Sequence, residues 1–224
     1  MSFSIAIDGP AGAGKSTVAR KCAAEKGFIY IDTGAMYRAM ALYLLRAGVQ
    51  PDQKEEIEKK CQEAEITICH EHGEQVVLLN GENVNGFIRT EEVGYMASVS
   101  SSCPEVRKKM TELQRKLAGC TDVVMDGRDI GTCVLPHADI KIYLTAGSRV
   151  RAMRRYAELQ ERGQACDLDQ IEQDIIERDR RDMEREIAPL CQAEDAVLVD
   201  SSEMSIDEVV GQILELTEEK QKNV

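Results

Sequence analysis

Nine consecutive residues near the start limit what this chain can fold into: Gly9-Pro10-Ala11-Gly12-Ala13-Gly14-Lys15-Ser16-Thr17. They fit G-x-x-x-x-G-K-S/T, a pattern with a mechanical reason behind it. Glycines let the backbone curl until successive N–H groups point at phosphate oxygens, and the start of the following helix adds a favourable dipole. Lys15 can then reach the β- and γ-phosphates of a nucleoside triphosphate, and the Ser16 hydroxyl can ligate Mg²⁺. The pattern carries this meaning only between a strand and a helix. Residues 3–8 read as a short buried strand and 15–25 as a helix, so both flanks are in place. An ordinary Gly-rich turn would share the pattern by chance without requiring those flanks.

The rest of the chain repeats the same rhythm. Strand-like runs recur at 28–32, 123–126, 140–144 and 196–200, with helical patterns between or after them, such as 36–47, which stops near Gly48 and Pro51. Strands alternating with helices predict right-handed βαβ units, hence an α/β fold of the P-loop NTPase type with a parallel β-sheet core flanked by helices. Residues 206–216 carry apolar side chains at helical spacing and are expected to pack on the sheet. Two stretches break the rhythm. Residues 51–89 hold a charged helix (53–64) and two strand-like runs, 65–69 and 75–79, with a turn over 70–74 and a second at Asn80-Gly81. This reads as a small β-containing insert. Residues 149–185 read as two charged helices around Gly163, an exposed hairpin able to move.

Composition narrows the function. A 43% hydrophobic and 30% charged chain of 224 residues is globular, and no apolar run approaches the length of a membrane span. No signal-like pattern precedes the first strand, so export is not expected. The eight cysteines form no C-x-x-C pair and have no histidine at metal-ligand spacing, which argues against zinc and suits a reducing, cytoplasmic setting. A net charge of −12 argues against a nucleic-acid polymer as partner but allows a locally basic pocket for a small phosphorylated ligand. The three histidines (70, 72 and 137) fall in no recognisable catalytic pattern.

Further candidates lie at the carboxyl edge of the expected sheet, where open α/β sheets bind ligands. Asp32-Thr33-Gly34 and Arg38 follow the second strand, and Asp126-Gly127-Arg128-Asp129 follow the third. Asp126 is the candidate to hold Mg²⁺, directly or through water; either aspartate could instead cap a helix. Arg178, Asp182 and Arg185, spaced i, i+4, i+7, would share one helix face. Two guanidiniums flanking a carboxylate could hold a phosphate and a sugar hydroxyl, and the same spacing describes a surface salt-bridge ladder. Arg149, Arg151, Arg154 and Arg155 cluster at the other end of the hairpin, which suggests a lid closing on phosphates, with Arg154 assigned to ATP.

Laid out in order, five segments make the sequence resemble the bacterial cytidylate kinases, the CMP/dCMP-specific branch of the nucleoside monophosphate kinases. They are IDGPAGAGKST at 7–17, DTGAMYR at 32–38, NGENVNGFIRTEEV at 80–93, DGRDIGTCVLP at 126–136 and RDRRDMEREIAPL at 178–190. The resemblance implies a single kinase unit: a core of about 1–50, 96–148 and 189–224, a monophosphate-binding insert of about 51–95 and a helical lid of about 149–188. It implies that Ser98, Arg107 and Asp129 read the cytosine and that Arg178 and Asp182 lie near the sugar. Arg38, Arg128 and Arg185 would bind phosphate, with Thr33 beside the acceptor and Lys15, Arg128 and Arg185 catalytic. The resemblance turns the 178–185 run from a ladder into a functional face. Partners are then ATP with Mg²⁺ and CMP or dCMP, with no membrane or polymer and a monomer expected. A nucleotide-dependent switch, and a kinase acting on UMP, AMP or a non-nucleotide acceptor, are the competing functions.

Overall fold

The computed structural model describes residues 2–71 and 74–222. The chain divides into two compact units, one formed by residues 1–30 and 121–224 and the other by residues 31–120. The expected lid range falls in the first unit and the expected insert in the second.

The first unit is built on β1 (Ser4–Asp8), α1 (Lys15–Lys26), β6 (Val123–Gly127), β7 (Ile140–Thr145), α6 (Ser148–Glu161), α7 (Leu168–Glu184), β8 (Val197–Asp200) and α8 (Ile206–Lys222). With β2 (Ile29–Asp32), in which the chain passes from one unit to the other, the strands form a five-stranded sheet in the order β2-β6-β1-β7-β8. Its β1–β6, β1–β7 and β7–β8 pairs are parallel, as the alternation of strand and helix predicts. Buried on both faces, β1 reads as a near-continuous apolar run. Ile5, Ile7, Val124, Ile142, Leu144 and Val199 from the strands join Val18, Ala19 and Cys22 of α1 and Val209, Val210 and Ile213 of α8 in one core. Each such side chain contributes roughly 1.5–3 kcal/mol by leaving water, so the amphipathic C-terminal helix packs with the sheet as expected. Gly163, at φ 69°, turns the chain between α6 and α7.

Register places the chemistry. Asp8 pairs with Gly127, so Gly9 and Arg128 leave adjacent strands at the same level, and Thr145 pairs with Asp200 at the same edge. The phosphate turn and the Asp126-Gly127-Arg128-Asp129 segment therefore emerge side by side.

The second unit holds α2 (Thr33–Arg46), α3 (Lys54–Lys60), the antiparallel β3 (Ile66–Glu71), β4 (Glu74–Leu79) and β5 (Glu82–Asn83), then α4 (Glu91–Ser100) and α5 (Pro104–Ala118). Met36, Met40, Leu44, Ile57, Ile88, Met96 and Met110 fill its core. The Asn80-Gly81 turn is present, with φ 50° and 84° at its two residues, the backbone that Asn-Gly favours between paired strands. The expected turn over 70–74, and His72 with it, lies partly outside the described residues. Helix α2 begins at Thr33 rather than at residue 36, because the Asp32 side chain accepts the Ala35 N–H and caps it. The charged helix is shorter than its pattern suggested, and Cys61–Glu63 tighten into a 3₁₀ turn. Among the described residues no helix is long and apolar enough to cross a membrane.

Candidate active site

The phosphate turn is shaped by what it leaves no room for. Gly9 sits at φ 149°, and a Cβ there would collide with the Leu144 carbonyl oxygen of β7, so only glycine serves. Gly14, at φ 86°, hands the chain into α1. Lys15 follows, buried, with Nζ donating to the Pro10 carbonyl at 2.7 Å. Burial pulls the Lys15 ammonium well below its ordinary range, and the Arg128 and Arg178 guanidiniums lower it further against the pull of Asp126 and Asp8. Arg128 and Arg178 thus both act on the Lys15 charge.

Ser16 Oγ donates to Asp126 Oδ2 at 2.9 Å, and the Tyr30 hydroxyl donates to the other carboxylate oxygen at 2.9 Å. A hydroxyl and a carboxylate this close, both hard oxygens beside a triphosphate turn, fit Mg²⁺, which takes one or two protein oxygens and completes its shell with phosphate and water.

Arg128 donates from Nε to Asp182 Oδ2 at 2.9 Å and from Nη1 to the Gly127 carbonyl at 3.3 Å. Burial would lower the Arg128 pKa and raise that of Asp182, but their mutual attraction outweighs it: Arg128 is raised and Asp182 lowered. Arg185 departs from the expected helix face. Helix α7 ends at Glu184 and Arg185 turns away at ψ 140°. Its side chain still arrives: Nε donates to the Ala188 carbonyl at 2.6 Å, while Nη2 stands 3.4 Å from Asp129 Oδ1 and Nη1 4.0 Å from Asp182. Arg128, Asp129, Asp182 and Arg185 therefore form one ion-pair group, with Arg178 adding its field to Lys15 and Asp182.

Arg154 is engaged elsewhere, donating to the Ser201 carbonyl (2.6 Å) and hydroxyl (3.2 Å) beyond β8. Arg149 pairs with Asp169 and Glu172 inside the hairpin, and Arg155 with Glu158.

In the second unit Thr33 is buried at the start of α2, and Arg38 lies over Gly34, where a Cβ would stand 3.5 Å from Arg38 Nη1. Arg107 is buried, donates to the Ser101 carbonyl at 3.1 Å, and stacks over Tyr37 at 5.7 Å from the ring centre. The Ser98 carbonyl accepts from Ser101 Oγ at 2.9 Å, bringing that turn of α4 to the same group.

Three residues that sequence reasoning passed over or assigned differently belong to this machinery. Asp8 accepts the N–H groups of Ile130 (2.8 Å) and Gly131 (2.7 Å), fixing the loop after Asp129 to the strand that feeds the phosphate turn. Burial pushes its carboxyl up to about 6 despite those bonds. Asp179 and Arg151 form a buried pair against Ala11. A carboxylate at a strand end was a usable signal for Asp8. Nothing in the charged run distinguished Asp179 from its neighbours.

The family model described as cytidylate kinase matches residues 5–219. A cytidylate kinase of Desulfitobacterium hafniense is 48% identical over 98% of this chain and 94% of its own length, and one of Lactobacillus johnsonii 49% identical over 98% and 95%. A cytidylate kinase of Thermosipho melanesiensis is 45% identical over 99% of this chain and its whole length. Among solved structures, shikimate kinase from Bacteroides thetaiotaomicron superposes with a TM-score of 0.50 at 15% identity, covering 96% of this chain and 98% of that one. An uncharacterised protein from Eubacterium ventriosum gives 0.53 at 12% identity, covering 96% and 97%. These two likenesses bear on the fold alone.

Proposed function

Because the chain belongs to the cytidylate kinase family, we propose that it transfers the γ-phosphoryl group of ATP to CMP or dCMP, giving ADP and CDP or dCDP, with its residues dividing the work as follows. The backbone from Gly9 to Thr17 cradles the donor phosphates, and Lys15 follows the charge that moves along them. Ser16 and Asp126 would hold Mg²⁺, which would supply neutralisation of phosphate charge when bound. Arg38, Arg128 and Arg185 bind phosphate, and Arg178 and Asp182 take the sugar. Asp129, Ser98 and Arg107 read the base, since cytosine offers an amino donor to a carboxylate and ring acceptors to an arginine. Thr33 stands beside the acceptor. The fixed bonds of Arg154 to Ser201 favour a role in holding α6 near the donor rather than a moving contact.

The acceptor oxygen is already anionic near neutral pH, so no strong base is needed. Rate comes from in-line placement and from cations aimed at developing charge. The observation that carries the reading is the buried Lys15 in the glycine-rich turn, next to the Ser16–Asp126 hydrogen bond of 2.9 Å and within the field of Arg128 and Arg178. A monomeric, cytoplasmic enzyme acting on free nucleotides and on no nucleic-acid polymer fits it.

A coupled assay of ADP formation with CMP, dCMP, UMP, AMP or no acceptor tests the proposal. CMP and dCMP should stimulate turnover far above the rest. Slow hydrolysis indifferent to CMP would identify a nucleotide switch instead.

A further inference from the structure

Ala11 is held on both sides. Its N–H donates to Asp179 Oδ1 on α7 at 2.9 Å, and its carbonyl accepts from Arg151 Nη1 on α6 at 2.7 Å. The same nitrogen bonds Asp179 Oδ2 at 2.5 Å, and Arg151 Nε donates to the Ala146 carbonyl at 2.8 Å. Both residues are 6% exposed. The next residue is equally confined: at Gly12 (φ 74°) a Cβ would stand 3.3 Å from Arg151 Cβ and 3.9 Å from Ile175 Cδ1. The two helices are joined by Ser148–Glu172 and by Arg149 to Asp169 and Glu172. They meet the phosphate turn as one body.

We propose that Arg151 and Asp179 are positioning residues: they fix the two peptide planes flanking Ala11, so the α6–α7 hairpin sets the shape of the phosphate turn and couples acceptor binding to donor binding. Asp179 follows Arg178 directly and precedes Asp182 by three residues on α7. A helix is stiff over a single turn, so a shift that seats Arg178 and Asp182 on the acceptor carries Asp179, and with it Ala11. This coupling rests on the reading of Arg178 and Asp182 as acceptor contacts. With its N–H committed to a carboxylate, Ala11 leaves the donor phosphates to the N–H groups that follow. Reciprocity then requires each nucleotide to tighten the other by the same factor.

The test uses the full chain and an ATP analogue with an imido β,γ-bridge, supplied with Mg²⁺. Its Kd is measured with and without CMP, alongside KM for ATP and for CMP. Asp179→Ala strands a buried guanidinium, so the double variant Arg151→Met/Asp179→Leu, which replaces the ion pair with apolar side chains, guards against a misfolded result. Both variants should raise the analogue Kd and the KM for ATP roughly tenfold. The tightening by CMP seen in the wild type should vanish, so by reciprocity the KM for CMP at saturating ATP should rise by that lost factor alone, less than the KM for ATP rises. Asp179→Asn keeps an acceptor for the Ala11 N–H and should recover most of the affinity. An unchanged analogue Kd in the folded double variant overturns the proposal, as do equal rises in both KM values, the mark of a merely structural pair. A wild type whose analogue affinity ignores CMP overturns the coupling. If CMP also fails to stimulate ADP formation, the acceptor reading falls separately, and the variants' analogue Kd decides the positioning role by itself.

Discussion

Lys15 shows what a single buried side chain costs and does. Its charge is held out of water beside other cations, a burden for folding that the proposed phosphoryl transfer would turn to use. Lys15→Met should therefore lower kcat by about 10²–10³ while leaving the melting temperature unchanged or raised; thermal unfolding and steady-state kinetics on the same preparation check both. Asp129 makes the opposite kind of prediction. If Asp129 reads the base as proposed, without it a cytosine amino group would lose its acceptor and Arg185 a counter-charge, so Asp129→Ala should cut kcat/KM for CMP roughly tenfold or more while sparing UMP. An unchanged CMP-to-UMP preference would remove Asp129 from the base site. Among these residues the sequence was legible where chemistry and position coincide: Lys15, Ser16 and Asp126 stand at strand or helix ends in a recognisable order. Asp179 was illegible because an alternation of Arg and Asp on a helix describes a solvated ladder and a buried clamp equally well. Only burial separates them, and burial is set by distant parts of the chain.

At the scale of elements, boundaries were harder to read than identities. The sheet, the hairpin and the C-terminal helix stand where their patterns put them, whereas α2 starts early because Asp32 caps it, and α7 ends before Arg185. Helical spacing brought Arg185 near Asp182 for a reason that does not hold; the bond to the Ala188 carbonyl brings it there. The junction of β1 with the loop after β6 carries its own prediction. Asp8 titrates near 3.8 when unfolded and at about 6 when buried. A carboxyl raised on folding contributes stability that is full below about 4 and is lost as pH rises through about 6. Asp8→Asn does not titrate. The stability of wild type relative to Asp8→Asn should therefore fall between pH 4 and pH 7, by on the order of 3 kcal/mol. Urea unfolding at intervals of pH measures it, and a flat difference would show that Asp8 does not titrate in that window.

Taken whole, the molecule is strongly acidic, at net charge −12, yet it gathers arginines and a lysine around one turn. Ligands that neutralise that local charge should stabilise the fold by mass action. CMP at about a hundred times its Kd should add about 2.7 kcal/mol, a rise in Tm of roughly 5–10 °C for a chain of this size. GMP at the same concentration should leave the transition where it is, and a differential thermal scan compares the two directly. The path of the chain has one more consequence. It enters the second unit once, inside β2, and leaves it once, after Cys120. A segment bounded by only two crossings can be exchanged as a cassette. Chimeras between relatives should tolerate such a graft when β2 is transferred whole, and should fail when the splice divides the strand between Tyr30 and Ile31. Of the proposed base-reading residues such a graft carries Ser98 and Arg107 but leaves Asp129 behind, so a working chimera would report how acceptor preference divides between one contiguous stretch of gene and the rest.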